Sequence, residues 1–160
     1  MALTSAQQAT LKAAILADPT LNAFPNTSDG NYDLCAQKLN VVASPAFIVW
    51  KGNVALGAIG KAMDGAEAAG LTTANNTRLQ VRAAYMAAGE NPSVAGTRAF
   101  YDDIFSTGGV TKASLLALWK RSALLGEKIL ATGTGSYASP ATMGYEGNLS
   151  GVDVQTARNS

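Results

Sequence analysis

The apolar positions at the start of the chain recur at helical spacing. Leu11 and Ile15 lie one turn apart on the same stripe, and Thr4 followed three residues later by Gln7 is typical of a capping box. Proline cannot continue a helix, so this helix is expected to end just before Pro19. A second helix is predicted over about residues 31–43, because its apolar positions again share one face; they are Tyr32, Cys35, Leu39 and Val42.

Three more helices are predicted in the second half of the chain. The third covers residues 73–89, and the fourth covers residues 92–106 and begins at a proline, which suits a first helical position. Thr111 is expected to cap the longest helix, over residues 112–131. The buried face of that helix would consist of Leu115, Leu118, Trp119, Leu125, Ile129 and Leu130.

The stretch between residues 44 and 70 carries a mixed pattern. Its AFIVW segment, at 46–50, has the β-branched and aromatic residues of a short strand. A strand needs a neighbour, and no convincing second strand is visible in the sequence to pair with it. We therefore favour helical turns across this stretch.

The composition changes abruptly after Ala131. Residues 132–160 are dominated by small and turn-forming side chains, with apolar residues only at intervals. Such a segment cannot build a core of its own, so we expect an extended arm that is ordered by lying on a partner, with Ser150 able to cap a last helical turn. The residues predicted to bind the partner are Tyr137, Pro140, Met143, Tyr145, Leu149 and Val152.

Together these elements predict an all-α protein of two parts. Residues 1–131 are expected to form a compact bundle of four to five helices, and residues 132–160 an extended C-terminal docking arm. At 160 residues the chain is long enough to bury such a core without disulfides.

The composition favours a protein that is covered by neighbours. With 12 basic and 11 acidic side chains the formal net charge is +1, and only 14% of residues are charged, against about a quarter in ordinary soluble domains. A weakly charged surface suits a subunit of an assembly, although an alanine-rich monomer is the plainer alternative. A single cysteine excludes an internal disulfide, and no apolar run is long enough for a membrane span, so a cytosolic setting is expected.

The side chains that most enzymes use are missing from this sequence. There is no histidine, so Ser-His-Asp and Cys-His catalysis are excluded, and one cysteine cannot complete a thiolate zinc site. Cys35 lies on the apolar stripe of its helix, which indicates a packed, inert thiol. The neighbouring Asp102 and Asp103 would point about 100° apart on a helix and would not converge. We predict no catalytic residue, no metal site and no cofactor.

Three stretches resemble small virion proteins encoded in the structural modules of tailed bacteriophages. They are the opening LTSAQQATLKAAILADPTLNAFPNTSDG, then GLTTANNTRLQVRAAYMAAGENPSVAGTRAFYDDIFS at 70–106, and LLALWKRSALLGEKILATGTGSYASPATMGYEGNLSGVDVQTARNS at 115–160. The resemblance implies a head-to-tail connector, or neck adaptor. Such a protein is a helical subunit that forms a ring between the portal and the tail of the virion, and its C-terminal arm docks on the portal or on a neighbouring subunit.

The resemblance also implies the partners. They would be the portal protein, neighbouring tail or neck proteins and further copies of the chain in a ring, with a dodecamer expected, assembled in the host cytoplasm. DNA would only pass through the ring, and no membrane is involved. A capsid decoration protein or a minor tail protein is the alternative within the particle. A DNA-contacting packaging accessory is less favoured, because the Lys and Arg residues form no cluster suited to phosphates.

Overall fold

The computed structural model describes residues 2–105 and 109–160 of the chain. This part is mostly helical, with 56% helix in ten helices and two small two-stranded sheets. The predicted predominance of helix is confirmed, whereas the four-to-five-helix bundle is wrong. None of the described helices has the length and apolar character needed to cross a membrane.

The elements follow one another closely along the chain. In chain order they are α1 (Ser5–Ala17), α2 (Pro19–Asn22), α3 (Asp29–Leu39), β1 (Ile48–Trp50), α4 (Leu56–Ala62), α5 (Gly65–Ala69), α6 (Thr73–Tyr85), α7 (Ala95–Ile104), α8 (Val110–Leu118), β2 (Lys120–Ser122), α9 (Leu125–Leu130), β3 (Ala131–Thr132), β4 (Thr142–Met143) and α10 (Gly151–Asn159). Strand β1 pairs with β2, and β3 pairs antiparallel with β4.

The chain divides into two compact units. The first is discontinuous in sequence and comprises Met1–Val49 together with Ser122–Ser160, and the second comprises Trp50–Arg121. Residues 132–160, which were predicted to form a separate arm, therefore belong to the same unit as the N-terminal helices.

Helix α1 begins where the sequence predicts it. The Thr4 hydroxyl accepts a hydrogen bond from the Gln7 N–H at 3.3 Å, and the Gln7 side chain accepts one from the Thr4 N–H at 2.9 Å, so the capping box forms. Leu11 and Ile15 are fully buried, which confirms the predicted apolar stripe.

Helices α1, α3 and α10 pack around the hydrophobic core of the first unit. The core needs both parts of this discontinuous unit, because its buried residues come from the N-terminal helices and from the last third of the chain. They are Leu3, Leu11, Ile15, Leu21, Tyr32, Cys35, Ala36, Leu39, Leu130, Leu149, Val154 and Ala157.

The C-terminal segment ends in a helix that packs on the chain itself, where an extended arm was predicted. Ser150 caps this helix, as predicted, and Asp153 accepts a hydrogen bond from the Ser150 N–H at 2.8 Å. The side chain of Asn40, at the end of α3, donates to the Leu149 carbonyl and accepts from the Leu149 N–H, both at 2.8 Å. Leu149, Val154 and Ala157 of this segment enter the existing core, and the backbone of Leu149 is bound by a side chain.

An arginine near the C-terminus also bonds to the N-terminal part of the first unit. The guanidinium of Arg158 donates to the backbone carbonyls of Leu21 at 3.0 Å and Phe24 at 2.6 Å, which lie in and after α2. A cation is favourable at this end of α2, where helix carbonyls lack regular helical partners.

The core of the second unit is built around Trp119. This side chain is buried, as predicted, and its ring contacts Tyr101 edge to face with centroids 5.4 Å apart. The buried residues of this core are Trp50, Val54, Ile59, Tyr101, Ile104, Phe105, Leu115 and Trp119.

The longest predicted helix is wrong, because a strand interrupts it. Helix α8 ends at Leu118, β2 follows, and α9 begins only at Leu125. Strand β2 pairs with β1, whose partner could not be identified from the sequence. The predicted single buried face is accordingly divided, with Leu115 in the core of the second unit and Leu130 in that of the first.

Other predicted boundaries shift by a few residues. Helix α6 ends at Tyr85, before the predicted end at residue 89, and α7 begins at Ala95, three residues after the predicted start. The predicted end at residue 106 lies outside the described residues. Thr111 does not cap α8; it is buried, and its hydroxyl accepts a hydrogen bond from the Asp64 N–H at 2.8 Å.

Two valines on α10 provide a matched test of this packing. Val154 is fully buried and Val152 is exposed, so Val154→Ala should destabilise the protein by about 2 kcal/mol and Val152→Ala by less than about 0.5 kcal/mol. Urea unfolding monitored by circular dichroism measures the free energy of unfolding of both variants. Equal midpoints for the two variants would contradict the placement of α10 in the core.

Candidate interaction surfaces

The residues that could carry chemistry are engaged in structural contacts. Asp102 pairs with Lys112 at 2.9 Å and Asp103 pairs with Arg78 at 2.7 Å, so the two carboxylates do not converge, as predicted. Cys35 is fully buried, and burial raises the pKa of its thiol, which keeps it protonated. Within residues 2–105 and 109–160, no group of three or more His, Cys, Asp or Glu side chains could hold a metal ion.

A buried ion pair fixes the segment that follows α6. Glu90 is only 1% exposed, and its two carboxylate oxygens accept from Arg82 Nε at 2.5 Å and from Arg82 Nη2 at 2.7 Å. The Tyr101 hydroxyl donates to the same carboxylate at 3.2 Å. Burial is the main cause that raises the pKa of Tyr101, and the negative charge of Glu90 raises it further. The hydrogen bond to Glu90 in turn raises the pKa of Arg82. This cluster satisfies its own charges, so its role is structural.

A second carboxylate replaces a missing helix cap. Gly109 is the N-cap residue of α8 and has no side chain to accept a hydrogen bond. Glu67, on α5, supplies the acceptor: its oxygens bind the N–H groups of Val110 at 2.7 Å and Thr111 at 3.0 Å. Hydrogen bonds from the Thr111 side chain and backbone lower the pKa of Glu67, which holds the carboxylate in its charged form.

Helix α6 is the most exposed helix of this length in the described part of the chain. None of its thirteen residues is buried. Val81 and Tyr85 lie one turn apart on its outer side, and Tyr85 is 81% exposed. Isolated helices this short are marginal in water, and most gain their stability by burying an apolar face. Helix α6 half-buries Leu79 against the core of the second unit, while its outer side stays exposed.

A shallow groove of about 410 Å³ runs along this side of α6. The guanidinium of Arg82 lies 4.5 Å from the Phe100 ring centroid and so forms part of the wall. We call the groove and its exposed side chains the α6 surface; it includes Thr77, Arg78, Val81, Tyr85, Met86 and Phe100. This surface was not predicted, although Arg78, Val81 and Arg82 mix cationic and apolar side chains along α6 in the sequence.

The six residues predicted to bind a partner do not share one environment. Leu149 is buried in the core of the first unit and cannot reach a partner while that unit is folded. Tyr145 packs against the same core, and Met143 packs against the small cluster of Val49, Ala123 and Ala141.

The remaining three of the six differ in exposure. Pro140 is half-buried, whereas Tyr137 and Val152 are 63% and 68% exposed. Tyr137 and Val152 are thus the members of the predicted set whose side chains are largely accessible to another molecule.

Comparison with known proteins gave no match: no protein-family model, no curated protein and no solved structure matches the chain. The likeness to phage virion proteins consequently rests on the sequence stretches alone.

Two arginines one turn apart on α6 allow a matched test of the buried ion pair. Arg82→Met would leave the buried Glu90 charge without its partner and should cost about 3–5 kcal/mol. Arg78→Met removes an exposed pair with Asp103 and should cost less than about 1 kcal/mol. Urea unfolding measures the difference, and similar stabilities for the two variants would refute the assignment of Glu90 as a buried anion.

The Glu67 cap should make stability depend on pH. Because the pKa of this group is lowered on folding, its contribution is present above the pKa of the unfolded chain, near 4.5, and is lost as the pH falls through the lower folded value. Thermal melts between neutral and acidic pH should show that the parent chain has a higher melting temperature than Glu67→Gln, and that this difference disappears below about pH 4.5. A difference in melting temperature that stays constant with pH would exclude the charged cap.

Proposed function

We propose that this protein is a structural subunit of a virus particle, a head-to-tail connector that forms a ring between the portal and the tail. The observation that carries the proposal is α6, a helix without a buried side chain that exposes Val81 and Tyr85. Tyrosine and arginine, both present on the α6 surface, are enriched at protein interfaces. A connector subunit needs such surfaces and needs no catalytic group.

The composition and the fold support the same proposal. A net charge of +1 leaves little repulsion between neighbouring copies. The first unit holds its C-terminal segment by core packing and by the hydrogen bonds of Asn40 and Arg158, so Tyr137 and Val152 are presented by a folded body. We therefore propose docking by a preformed surface rather than by an arm that orders on binding, which lowers the entropic cost of association.

The test uses the full-length chain and the portal protein encoded by the same virus. After mixing, negative-stain electron microscopy should show an additional ring at one end of the portal, and the two proteins should co-sediment. Tyr85→Asp should weaken ring formation by tenfold or more, about 1.4 kcal/mol or more, because it places a charge on the α6 surface. Val94→Asp is the matched control, since Val94 is also exposed and lies at the N-cap of α7, where Asp is favourable.

Other outcomes would identify the alternative functions. Binding to the capsid lattice without binding to portal would indicate a decoration protein. Affinity for duplex DNA that falls steeply with salt would indicate a packaging accessory. A chain that ignores portal, capsid and DNA would overturn the proposal.

A further inference from the structure

Two polar contacts of the second unit fix the chain on either side of residues 68–81. On one side, the carboxylate of Glu67 binds the N–H groups at the start of α8. On the other side, Arg82 forms its ion pair with the buried Glu90. We call residues 68–81 the strap and these two contacts its clasps.

The strap is held only weakly between its clasps. The structure describes every residue of the strap, and none is buried; Leu71 and Leu79 are half-buried against the core of the second unit. The side chain of Arg78 links the strap to α7, because it pairs with Asp103 at 2.7 Å and lies 5.4 Å from the Phe100 ring centroid. Both members of the ion pair are exposed, and such pairs contribute little to stability.

A cleft of about 320 Å³ lies between the strap and α4. Leu56, Ile59 and Met63 line one wall of the cleft, and Leu71 and Leu79 of the strap line the other. Folded proteins normally fill such space with side chains, and atoms that face a gap lose the contacts that would hold them. The strap therefore gains little packing from the side that it turns toward α4.

We propose that the strap is a lid that opens without unfolding of the rest of the second unit. In the open state α6 unwinds between residues 73 and 81, while both clasps and the core around Trp119 stay intact. A helix of this length is marginal unless it buries an apolar face, and segments with few buried apolar contacts are those that open locally. Opening exposes the wall formed by Leu56, Ile59 and Met63. The lid is a property of the single chain and is independent of the proposed connector role.

Hydrogen exchange of the full-length chain, followed by mass spectrometry or NMR, tests the lid. Helix α7 is the matched reference, because it lies in the same unit, has a similar length and buries Thr97, Tyr101 and Ile104. The backbone amides of residues 77–81 should exchange about a hundredfold faster than those of residues 99–104, yet more slowly than in an unstructured peptide.

Low concentrations of urea should separate the two sites further. Exchange at residues 77–81 should change little with urea, because opening the lid exposes little surface. Exchange at residues 99–104 should rise steeply, because it requires unfolding of the whole unit.

Two leucine substitutions give a matched test. Leu115, on α8, is buried whether the strap is open or closed, so Leu115→Ala should speed exchange at residues 99–104 about tenfold or more and leave residues 77–81 unchanged. Leu79 packs on the core only while the strap is closed. Leu79→Ala should therefore speed exchange at both sites by the same factor, because it destabilises the closed state relative to both the open and the unfolded states.

Three outcomes would overturn the inference. The first is exchange at residues 77–81 that matches residues 99–104 in rate and urea dependence, because the strap would then open only when the unit unfolds. The second is exchange at residues 77–81 as fast as in an unstructured peptide, because no closed lid would exist. The third is equal acceleration of both sites by Leu115→Ala. If circular dichroism shows that Leu115→Ala does not fold, the urea series of the parent chain decides between a lid and a rigid helix.

Discussion

The first unit depends on a core that its N-terminal residues cannot close by themselves. Leu11 and Ile15 on α1 and Leu39 on α3 are fully buried only because Leu149 and Val154 return from the far end of the chain to cover them. All of the second unit lies between these two parts in sequence. Folding of the first unit therefore requires a long loop to close, and the entropy of that closure grows only slowly with the length of the inserted segment.

The polar contacts explain why the C-terminal segment has one defined position. A few apolar side chains would bury some area, but such contacts are not directional. Asn40 binds both backbone groups of Leu149, and Arg158 binds the carbonyls of Leu21 and Phe24, so the register of the segment is set by hydrogen bonds. These contacts convert a sequence with the composition of a disordered tail into a fixed part of the surface.

The second unit follows a different arrangement. Its core around Trp119 is well covered, and the Arg82–Glu90 pair fixes the end of α6, yet the outer side of α6 is left exposed. A helix anchored at one end by a buried ion pair keeps its apolar side chains in place without burying them. Such a surface is ready to bind another protein, which links the packing of this unit to the proposed assembly role.

The sequence by itself determined the features that depend on neighbouring residues: the capping box at Thr4, the cap at Ser150, the buried stripe of α1, and the burial of Trp119. Helix capping and the periodicity of apolar residues involve residues within one or two helical turns, so a short stretch of sequence is enough to predict them. Only the tertiary structure decided that Lys120–Ser122 is a strand and that the outer side of α6 stays exposed. The strand pairs with β1 about seventy residues earlier and has no β pattern of its own, and exposure depends on what the rest of the chain leaves unpacked.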